Sequence, residues 1–402
     1  MPVGALTGIT VVECSTFVTG PYAAALLADL GARVIKIESP PDGDPYRYFA
    51  PDPFFSPNFA HLNRNKESLV VDLKNEKGRA VVIELAKKAD VFLENFRPGA
   101  IDRLGLGYEA LKSVNRKLVY CSISAFGQTG PYADRPGFDT LGQAMSGLLS
   151  LLTDLDQPQV MGLALSDYVT GLSAGYGILG ALLARQRTGE GTRVETSLLR
   201  ATLSFVGEAA AGYLRTGDVP ARIARVKNAQ AFAFLAEDRL PFVVHCSVPE
   251  KFWLGLLRAV DRLDLAEDER FKAREERRKN YPQLHAEIAS VFATRPRSEW
   301  LKRLEENDVP AGPLYNIAEV LEDPQVGHLG LVEEVAHPKM GTWKFVQSSV
   351  NYVELSKKAA QPPPLLGEHT ATVLAGLGYH DAAIEKLEAQ GIIKTCKQGE
   401  KT

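Results

Sequence analysis

Residues 9–38 read ITVVECSTFVTGPYAAALLADLGARVIKIE, which is a short apolar run, a helix-like stretch and a second short apolar run. This pattern is typical of a β-strand, an α-helix and a second β-strand, the unit from which parallel sheets are built. Similar apolar runs follow in SLVVDLK (68–74), VFLENF (91–96) and LVYCSIS (118–124). Because the runs are continuously apolar, both faces of the sheet should be covered. The sequence therefore predicts an α/β fold with a doubly wound, mostly parallel, Rossmann-like sheet.

The rest of the chain indicates a second domain. At 402 residues, the chain exceeds the size at which a single hydrophobic core stops growing. The stretch TGDVPARIARVKNAQ (216–230) is polar, and shorter strand and helix patterns follow it. We predict a large α/β domain and a smaller α+β domain, joined by two linkers. The large domain covers 1–205 and 335–402, the linkers cover 206–227 and 321–334, and the small domain covers 228–320.

Composition excludes several classes of function. Lys and Arg total 46 against 49 for Asp and Glu, so no overall positive field favours nucleic acid. The N-terminus lacks the features of a signal peptide, and no apolar run reaches the roughly 18 residues of a membrane span. The four cysteines form no CxxC pair and the seven histidines no HExxH motif. We expect a cytoplasmic protein with neither a metal site nor a nucleic-acid or membrane partner.

Two catalytic motifs overlap in LALSDYVTGLSAGYGILGALLARQ (163–186). Gly175, Gly177 and Gly180, with Glu195 downstream, match the GxGxxG signature of dinucleotide sites. That signature requires a strand just before the glycines, whereas these glycines fall within a helical run. Close helix packing is therefore the favoured interpretation of the three glycines.

The second motif is GxSxG at 171–175, which would make Ser173 the nucleophile of a serine hydrolase. A nucleophile elbow needs a strand running into Gly171. Apolar residues instead recur at the three- and four-residue steps of one helix face: Val169, Leu172, Tyr176, Leu179 and Leu183. The helix is favoured, and the hydrolase remains an alternative.

Asp167 is a third candidate. We interpret VMGLAL (160–165) as a strand and Ser166 as the N-cap of the following helix, so that Asp167 lies in the first helical turn. The helix dipole and the free backbone N–H groups there should favour the ionised carboxylate. A carboxylate that attacks an acyl carbonyl forms an anhydride, which suits acyl transfer. Position alone also fits a structural cap.

Eight segments in order give the chain a wider resemblance. They are VVECSTFVTGPYAAALLADLGARVIKIE (11–38), NRNKESLVVDLK (63–74), VFLENFRPGAIDRLGLGYE (91–109), GPYADRPGFDTLGQAMSG (130–147), LALSDYVTG (163–171), RQRTGEGTRVE (185–195), VPAGPLYNIAEVLEDPQ (309–325) and PPLLGEHTATVLAGLGY (363–379). Together they resemble the class III CoA-transferases, the superfamily of formyl-CoA and carnitine CoA-transferases and α-methylacyl-CoA racemases.

The resemblance implies CoA exchange between an acyl-CoA and a carboxylic acid, with no tightly bound cofactor. Asp167 matches the catalytic aspartate, which forms an acyl anhydride and then a CoA thioester, and Asp139 is given a supporting role. An interlocked homodimer, or a heteromer with a paralogous subunit, is also implied. The family positions near CoA match Val18, Thr19, Val71, Leu73, Lys74, Asn95, Phe96, Arg97 and Arg103.

The sequence also departs from its relatives. Racemases carry a histidine where this chain has Phe138, and an apolar ring cannot exchange protons, so an acyl-CoA racemase or isomerase is the less favoured alternative. Relatives of formyl-CoA transferase carry an arginine where this chain has Ser39, and a glycine run that is missing between 218 and 260. These departures keep a non-catalytic CoA-binding protein open as another alternative.

Overall fold

The computed structural model describes residues 4–52, 54–355 and 359–396. Its strands are β1 (Thr10–Cys14), β2 (Arg33–Glu38), β3 (Lys66–Val71), β4 (Val91–Glu94), β5 (Val119–Ser124), β6 (Arg193–Ser197), β7 (Ala231–Leu235), β8 (Pro241–His245), β9 (Ala311–Pro313), β10 (Val332–His337), β11 (Gly341–Val346) and β12 (Ile393–Lys394).

The α-helices are α1 (Thr19–Asp29), α2 (Pro57–Asn63), α3 (Glu76–Lys88), α4 (Ala100–Arg103), α5 (Tyr108–Val114), α6 (Asp139–Met145), α7 (Leu148–Leu152), α8 (Leu165–Thr188), α9 (Leu198–Phe205), α10 (Gly207–Thr216), α11 (Ala224–Ala229), α12 (Pro249–Ala259), α13 (Arg274–Lys279), α14 (Tyr281–Phe292), α15 (Arg297–Glu306), α16 (Ile317–Leu321), α17 (Pro324–His328), α18 (Thr370–Gly376) and α19 (Asp381–Ala389). Short 3₁₀ turns cover Pro45–Tyr48 and Leu263–Ala266.

A seven-stranded sheet organises the first compact unit, which comprises residues 1–216 and 332–402. The strand order is β12-β3-β2-β1-β4-β5-β6, and every neighbouring pair is parallel except β12 with β3. The predicted mostly parallel α/β sheet is therefore confirmed. From β1 the chain adds β2 and β3 on one side of the sheet and then β4, β5 and β6 on the other. The carboxyl ends of β1 and β4 therefore flank a crevice, and ligands of such sheets bind there.

Both faces of the sheet are covered by helices. Val11, Val34 and Val91 pack on one face against residues of α1 and α8. Val12 and Ile35, one position further along their strands, pack on the other face against residues of α3 and α5. This alternation is the two-residue period of a strand whose two faces are both buried.

Charged side chains are buried at the carboxyl ends of β1 and β2. Glu13 and Lys36 are register partners on adjacent strands, and Lys36 Nζ lies 3.0 Å from Glu13 Oε1. We call the six residues of this group the ionic cluster: Glu13, Lys36, Glu38, Asp44, Arg47 and Lys66. All six are at most 3% exposed, so each charge has to be compensated by an opposite one.

The helix α8 differs from the prediction at its beginning. Residues 160–164 form no strand, the helix starts at Leu165, and Ser166 is a buried residue of the first turn rather than the N-cap. Val160 and Leu163 are 70% and 68% exposed, so their apolar side chains do not contribute to a buried strand. Between β4 and β5 the chain forms two short helices, α4 and α5.

Small residues let α8 approach α1 closely. A Cβ atom on Gly171 would lie 2.8 Å from the Thr19 carbonyl oxygen and 2.8 Å from Tyr22 Cδ1, so no larger residue fits there. The same contact brings the beginning of α1 next to the beginning of α8, where Asp167 lies. Along the described chain no helix is both long and apolar enough to cross a membrane.

The second compact unit comprises residues 217–331. Its three strands form an antiparallel sheet in the order β7-β8-β9, and helices α12, α14 and α15 supply apolar residues to its core. Trp253 and Trp300 are 2% and 1% exposed in that core. Arg277 is buried with its guanidinium 4.7 Å from the centre of the Trp253 ring.

Candidate active site

A cavity of about 240 Å³ lies at the carboxyl ends of β1, β4 and β5. Its walls come from the segments that follow these strands and from the beginnings of α1, α8 and α9. The residues that line it are Thr16, Phe17, Thr19, Asn95, Phe96, Arg97, Pro98, Ile123, Ser124, Ala125, Ala133, Arg135, Gly137, Phe138, Asp167 and Leu198. The cavity therefore occupies the crevice that the strand order predicts.

The loop between β1 and α1 is held in place from two sides. Asn95, just after β4, accepts from Thr16 N at 3.0 Å and donates to Thr16 O at 2.9 Å. Phe17 has a left-handed backbone with φ of 64°, and its N–H donates to Asp44 Oδ1 at 3.1 Å. Lys36 Nζ donates to Ser15 O at 2.9 Å. The ionic cluster thus anchors the loop that forms one wall of the cavity.

Asp167 is a partly buried carboxylate in the first turn of α8. Thr19 Oγ1, at the start of α1, donates a hydrogen bond to Asp167 Oδ1. Among the described residues no cation forms a salt bridge with this carboxylate. Burial raises the pKa of Asp167 to about 6, the Thr19 hydrogen bond opposes the increase, and the charge of Asp139 adds to it. The group is still mostly ionised at neutral pH.

Asp139, the first residue of α6, caps the beginning of α8 from outside that helix. Its Oδ1 accepts from Ser166 N at 2.8 Å and from Asp167 N at 3.1 Å. Its Oδ2 accepts from Gln143 Nε2 at 2.5 Å, and the same nitrogen donates to Leu163 O at 2.8 Å. Both oxygens of Asp139 are therefore occupied, which leaves Asp167 as the acid with an oxygen available for chemistry.

These contacts correct the sequence-based electrostatics of Asp167. The backbone N–H groups that begin α8 were expected to favour its ionised form, but two of them donate to Asp139 instead. The pKa of Asp167 is consequently raised, mainly by burial, rather than lowered. A carboxylate with weaker hydrogen bonding and a higher pKa is a better nucleophile than one held by several donors.

A second cavity of about 240 Å³ lies beside the first, towards β2. Thr16, Asn95 and Phe96 line both cavities, while Ser39 and Leu73 line only the second. Of the residues predicted near CoA, Thr19, Asn95, Phe96 and Arg97 line the first cavity, and Leu73, Asn95 and Phe96 line the second. The two cavities together follow the carboxyl edge of the sheet from β2 to β5.

The other predicted CoA residues lie outside these linings. Val18 and Val71 are buried in the core, at 6% and 0% exposed, so their side chains do not face a ligand. Lys74 is exposed beyond the end of β3. Arg103, at the end of α4, has its Nη1 3.3 Å from the position that a Cβ atom on Gly99 would occupy. Arg103 therefore lies beside the turn that follows Arg97.

Ser173 lies in the interior of α8, where its Oγ donates to Val169 O at 2.9 Å. No strand leads into Gly171, so the GxSxG match is not a nucleophile elbow. Gly175, Gly177 and Gly180 also fall inside α8, and a Cβ atom on Gly177 would lie 2.9 Å from Val194 Cγ1 of β6. Close packing accounts for Gly177, and the pattern has no phosphate-binding turn.

Sequence reasoning missed much of the cavity wall, including Phe17 and Arg135, and it singled out Phe138 only as the position of the racemase histidine. The rings of Phe17 and Phe138 meet edge to face, with centroids 5.9 Å apart. Arg135 lines the same cavity, with its guanidinium 4.0 Å from the centre of the Tyr132 ring. The segment GPYADRPGFD, already notable for its resemblance to the family, contained both Arg135 and Phe138. The strand–loop–helix order alone gives no means of choosing which loop residues face the ligand.

Comparison with known proteins supports the same fold and identifies the family. The sequence model of the protein family described as CoA-transferase family III matches residues 6–370. The chain belongs to this family. The family III chain is 35% identical over 406 residues to the succinyl-CoA:glutarate CoA-transferase of Mus musculus, covering 97% of this chain and 90% of the mouse protein. It is 40% identical over 331 residues to the acetyl-CoA:oxalate CoA-transferase of Acetobacter aceti, covering 81% and 84% of the two chains.

A solved structure agrees with these relatives. The crystal structure of a CAIB/BAIF family protein from Brucella suis superimposes with a TM-score of 0.84 at 34% identity, covering 94% of this chain and all of that one. The predicted family and the prediction of an enzyme that transfers CoA between acyl-CoA and a carboxylic acid are therefore confirmed. Acyl-CoA and a carboxylate are the substrate classes of this family III enzyme.

Proposed function

We propose that this CoA-transferase works through a covalent intermediate on Asp167. The observation that carries the proposal is the position of the Asp167 carboxylate in the cavity at the switch point of the sheet, with one hydrogen bond from Thr19 and a pKa of about 6. Such a group is ionised at neutral pH but poorly solvated. These are the properties that a carboxylate nucleophile needs.

The reaction can be written with all groups balanced. The Asp167 carboxylate attacks the thioester carbonyl and the C–S bond breaks. The products are a mixed anhydride on Asp167 and the CoA thiolate. The thiolate then attacks the aspartyl carbonyl of that anhydride, which releases the first acid and leaves an aspartyl-CoA thioester. An incoming carboxylate attacks this thioester and forms a second anhydride. CoA thiolate finally attacks its acyl carbonyl, and the Asp167 carboxylate is regenerated. No proton is consumed overall and no ATP is needed.

We propose that CoA occupies the part of the carboxyl edge between β2 and β4. The second cavity lies there, and the family relationship supports roles for Val18, Thr19, Val71, Leu73, Lys74, Asn95, Phe96, Arg97 and Arg103. Lys74, Arg97 and Arg103 would supply positive charge for the phosphates. With Ser39 in place of a cation, the phosphate contacts depend more heavily on these three residues. The large unit would thus be the CoA-binding domain.

We also propose that the protein assembles as a homodimer, with a heteromer containing a paralogous subunit as the alternative. Large apolar side chains of α8 are exposed, among them Leu172 at 47%, Tyr176 at 73% and Leu183 at 58%. Phe205 and Leu214, on the two helices that follow, are 62% and 82% exposed. An apolar surface of this extent favours a protein partner. Light scattering of the purified chain would distinguish a homodimer from a monomer that awaits a different subunit.

Isotope transfer tests the covalent role of Asp167. With succinyl-CoA as donor and an acceptor acid labelled with ¹⁸O in its carboxylate, the scheme transfers one labelled oxygen to Asp167 in each turnover. Mass spectrometry of the peptide that contains Asp167 should detect this oxygen after many turnovers. An Asp167→Asn protein should lose exchange activity while keeping its fold. Full exchange by that variant, or wild-type turnover that leaves the peptide unlabelled, would refute the proposal.

A pool of carboxylic acids should be assayed first to find acceptors. The relatives named above act, by their names, on glutarate and oxalate, which are dicarboxylic acids. These acids and their monocarboxylic counterparts are therefore the first to compare.

A further inference from the structure

Arg97 and Arg135 supply positive charge to the lining of the first cavity. Arg97 follows Asn95 and Phe96, which line both cavities, so it lies on the side that leads to the second cavity. Arg135 lies in the segment between β5 and α6, and it lines the first cavity alone. In the strand order, β5 is separated from β2 by β1 and β4. Arg135 therefore lines the cavity that contains Asp167 and not the cavity proposed for CoA.

The guanidinium of Arg135 has no acidic partner among the residues that the structure describes. The guanidinium carbon lies over the Tyr132 ring, 4.0 Å from its centre, a contact in which the face of the group stacks on the ring. Stacking occupies the face and leaves the N–H donors along the edge free. These donors match the two oxygens of a carboxylate in a bidentate pair.

Another part of the cavity wall is apolar and supplies no charge. Phe17, Ile123 and Leu198 are apolar, and Phe138 packs edge to face on Phe17. Asp139, the nearest acid to Asp167 along the hydrogen-bond network, has both oxygens bonded to other groups. An acyl chain would thus cross an apolar wall between two ends of opposite charge, the Asp167 carboxylate and the Arg135 guanidinium.

We infer that Arg135 is a specificity-determining residue that binds the distal carboxylate of a short dicarboxylic acid. One carboxylate of the acid reacts at Asp167, and the other pairs with the guanidinium edge of Arg135. The inference rests on the proposed function of Asp167 and adds the substrate class. A monocarboxylic acid of the same length contacts the same apolar wall but leaves Arg135 without a carboxylate partner. It therefore reacts more slowly.

The test compares acceptors matched in length with succinyl-CoA as donor. Glutarate is paired with pentanoate, and succinate, isotopically labelled, with butyrate. In a ping-pong reaction, kcat/KM for the acceptor reports only steps after the CoA-enzyme has formed, so the donor cancels from each ratio. The wild-type protein should favour the dicarboxylate in both pairs. Arg135→Gln should reduce that preference by roughly 100-fold, and Arg135→Lys by roughly 10-fold, because lysine keeps the charge but not the bidentate fork.

Two further variants are matched controls. Arg97→Gln should weaken acyl-CoA binding and reduce the rates with both acids in proportion, so the ratio should stay constant. Arg187→Gln, an exposed change at the end of α8, should alter neither the rates nor the ratio.

The outcomes separate this inference from the proposed function. A wild-type preference for the monocarboxylate, or an Arg135→Gln protein that retains the wild-type ratio, would overturn the role of Arg135 and leave Asp167 as nucleophile intact. Transfer of CoA to both kinds of acid without labelling of Asp167 would refute the role of Asp167 as nucleophile. The role of Arg135 would then stand or fall on the ratio of kcat/KM for the two acids. Collapse of the ratio in Arg135→Gln together with labelling of Asp167 supports both.

Discussion

The ionic cluster and the Asp139–Asp167 pair contain the same kinds of acid at one edge of one sheet, but in opposite electrostatic surroundings. In the cluster, three carboxylates face three cations, and Arg47 holds Glu38 through two hydrogen bonds of 2.6 and 2.7 Å. Burial by itself would raise the pKa of Glu38, but Arg47, Lys36 and Ser68 lower it to about 2. Asp167 has no such cation, and burial raises its pKa to about 6.

This difference in electrostatic surroundings gives the ionic cluster a structural role and suits Asp167 to a chemical one. Carboxylates paired with cations are stable as anions and have no tendency to react, so the cluster can only hold the β1–α1 loop. The carboxylate of Asp167 is destabilised as an anion and is ready to form a covalent bond. We expect the same fold to respond in opposite ways when each group is changed.

The largest expected effect is on stability, from removal of a cluster cation. Lys36→Met should lower the free energy of unfolding by about 3–5 kcal/mol, because Glu13 and Asp44 would be left buried with less compensation. Arg33→Met, on the same strand, removes a surface pair with Glu67 and should cost less than about 1 kcal/mol. Urea unfolding measures both. Equal losses for the two variants would contradict the distinction between buried and exposed pairs.

The second effect is the dependence of stability on pH. Because the folded pKa of Asp167 is raised from 3.8 to about 6, its neutral form stabilises the fold below pH 4, and this contribution is lost as pH rises through 6. The loss is roughly 2–3 kcal/mol. For Glu38 the sign is reversed, since stability present above pH 4.5 is lost as pH falls through about 2.

Asp167→Asn isolates the contribution of Asp167. The stability of this variant relative to wild type should increase by roughly 2–3 kcal/mol between pH 4 and pH 7, because only the wild-type residue becomes charged. Urea unfolding at several pH values gives the difference directly, and contributions from other groups cancel. A difference that is constant with pH would mean that the pKa of Asp167 is not raised.

A smaller effect concerns the kinetic pKa. The rate of acyl transfer should increase with pH through about 6 and level off above 7, as Asp167 ionises. Thr19→Val removes the hydrogen bond to Asp167 Oδ1 and should move this midpoint up by about one pKa unit. Thr170→Val removes a hydroxyl that donates to Ser166 O instead, so it should leave the midpoint where it is. A pH profile of kcat/KM measures both variants.

The smallest effect should come from Asp139→Asn. The amide keeps an oxygen for the N–H groups of Ser166 and Asp167 but removes a negative charge that raises the pKa of Asp167. The kinetic midpoint should therefore move down, in the direction opposite to Thr19→Val. The charged cap is lost as well, at a cost of about 1 kcal/mol in stability. An upward shift would show that the capping contact matters more to Asp167 than the charge does.

Much of the fold could be predicted because local sequence is sufficient for it. The apolar runs at 68–74, 91–96 and 118–124 correspond to the observed strands β3, β4 and β5. A continuously apolar run next to an amphipathic helix has few other structures available. Four strands were missed, β6, β7, β9 and β12. Of these, β6 begins with exposed Arg193 and β12 has only two residues, so neither has a continuous apolar pattern.

The buried face of α8 could not be predicted from its side chains. The stripe of large residues that includes Leu172 and Tyr176 indicated the helix correctly, but these side chains are exposed. The helix instead buries Gly171, Ala174 and Gly175, because close approach to α1 requires small residues. Which face is buried depends on the neighbouring helix, and the periodicity of one helix carries no information about its neighbour.

The sequence by itself determined the parallel sheet, the family and the position of Asp167 in the first turn of a helix, since each follows from short segments or their order. Only the tertiary structure decided the state of that carboxylate. Asp139 and Thr19 are 28 and 148 residues away in sequence, yet one takes the helix N–H donors and the other bonds the carboxylate. Burial and charge depend on distances through space, so the raised pKa of Asp167 and its shared cavity with Arg135 exist only in the folded chain.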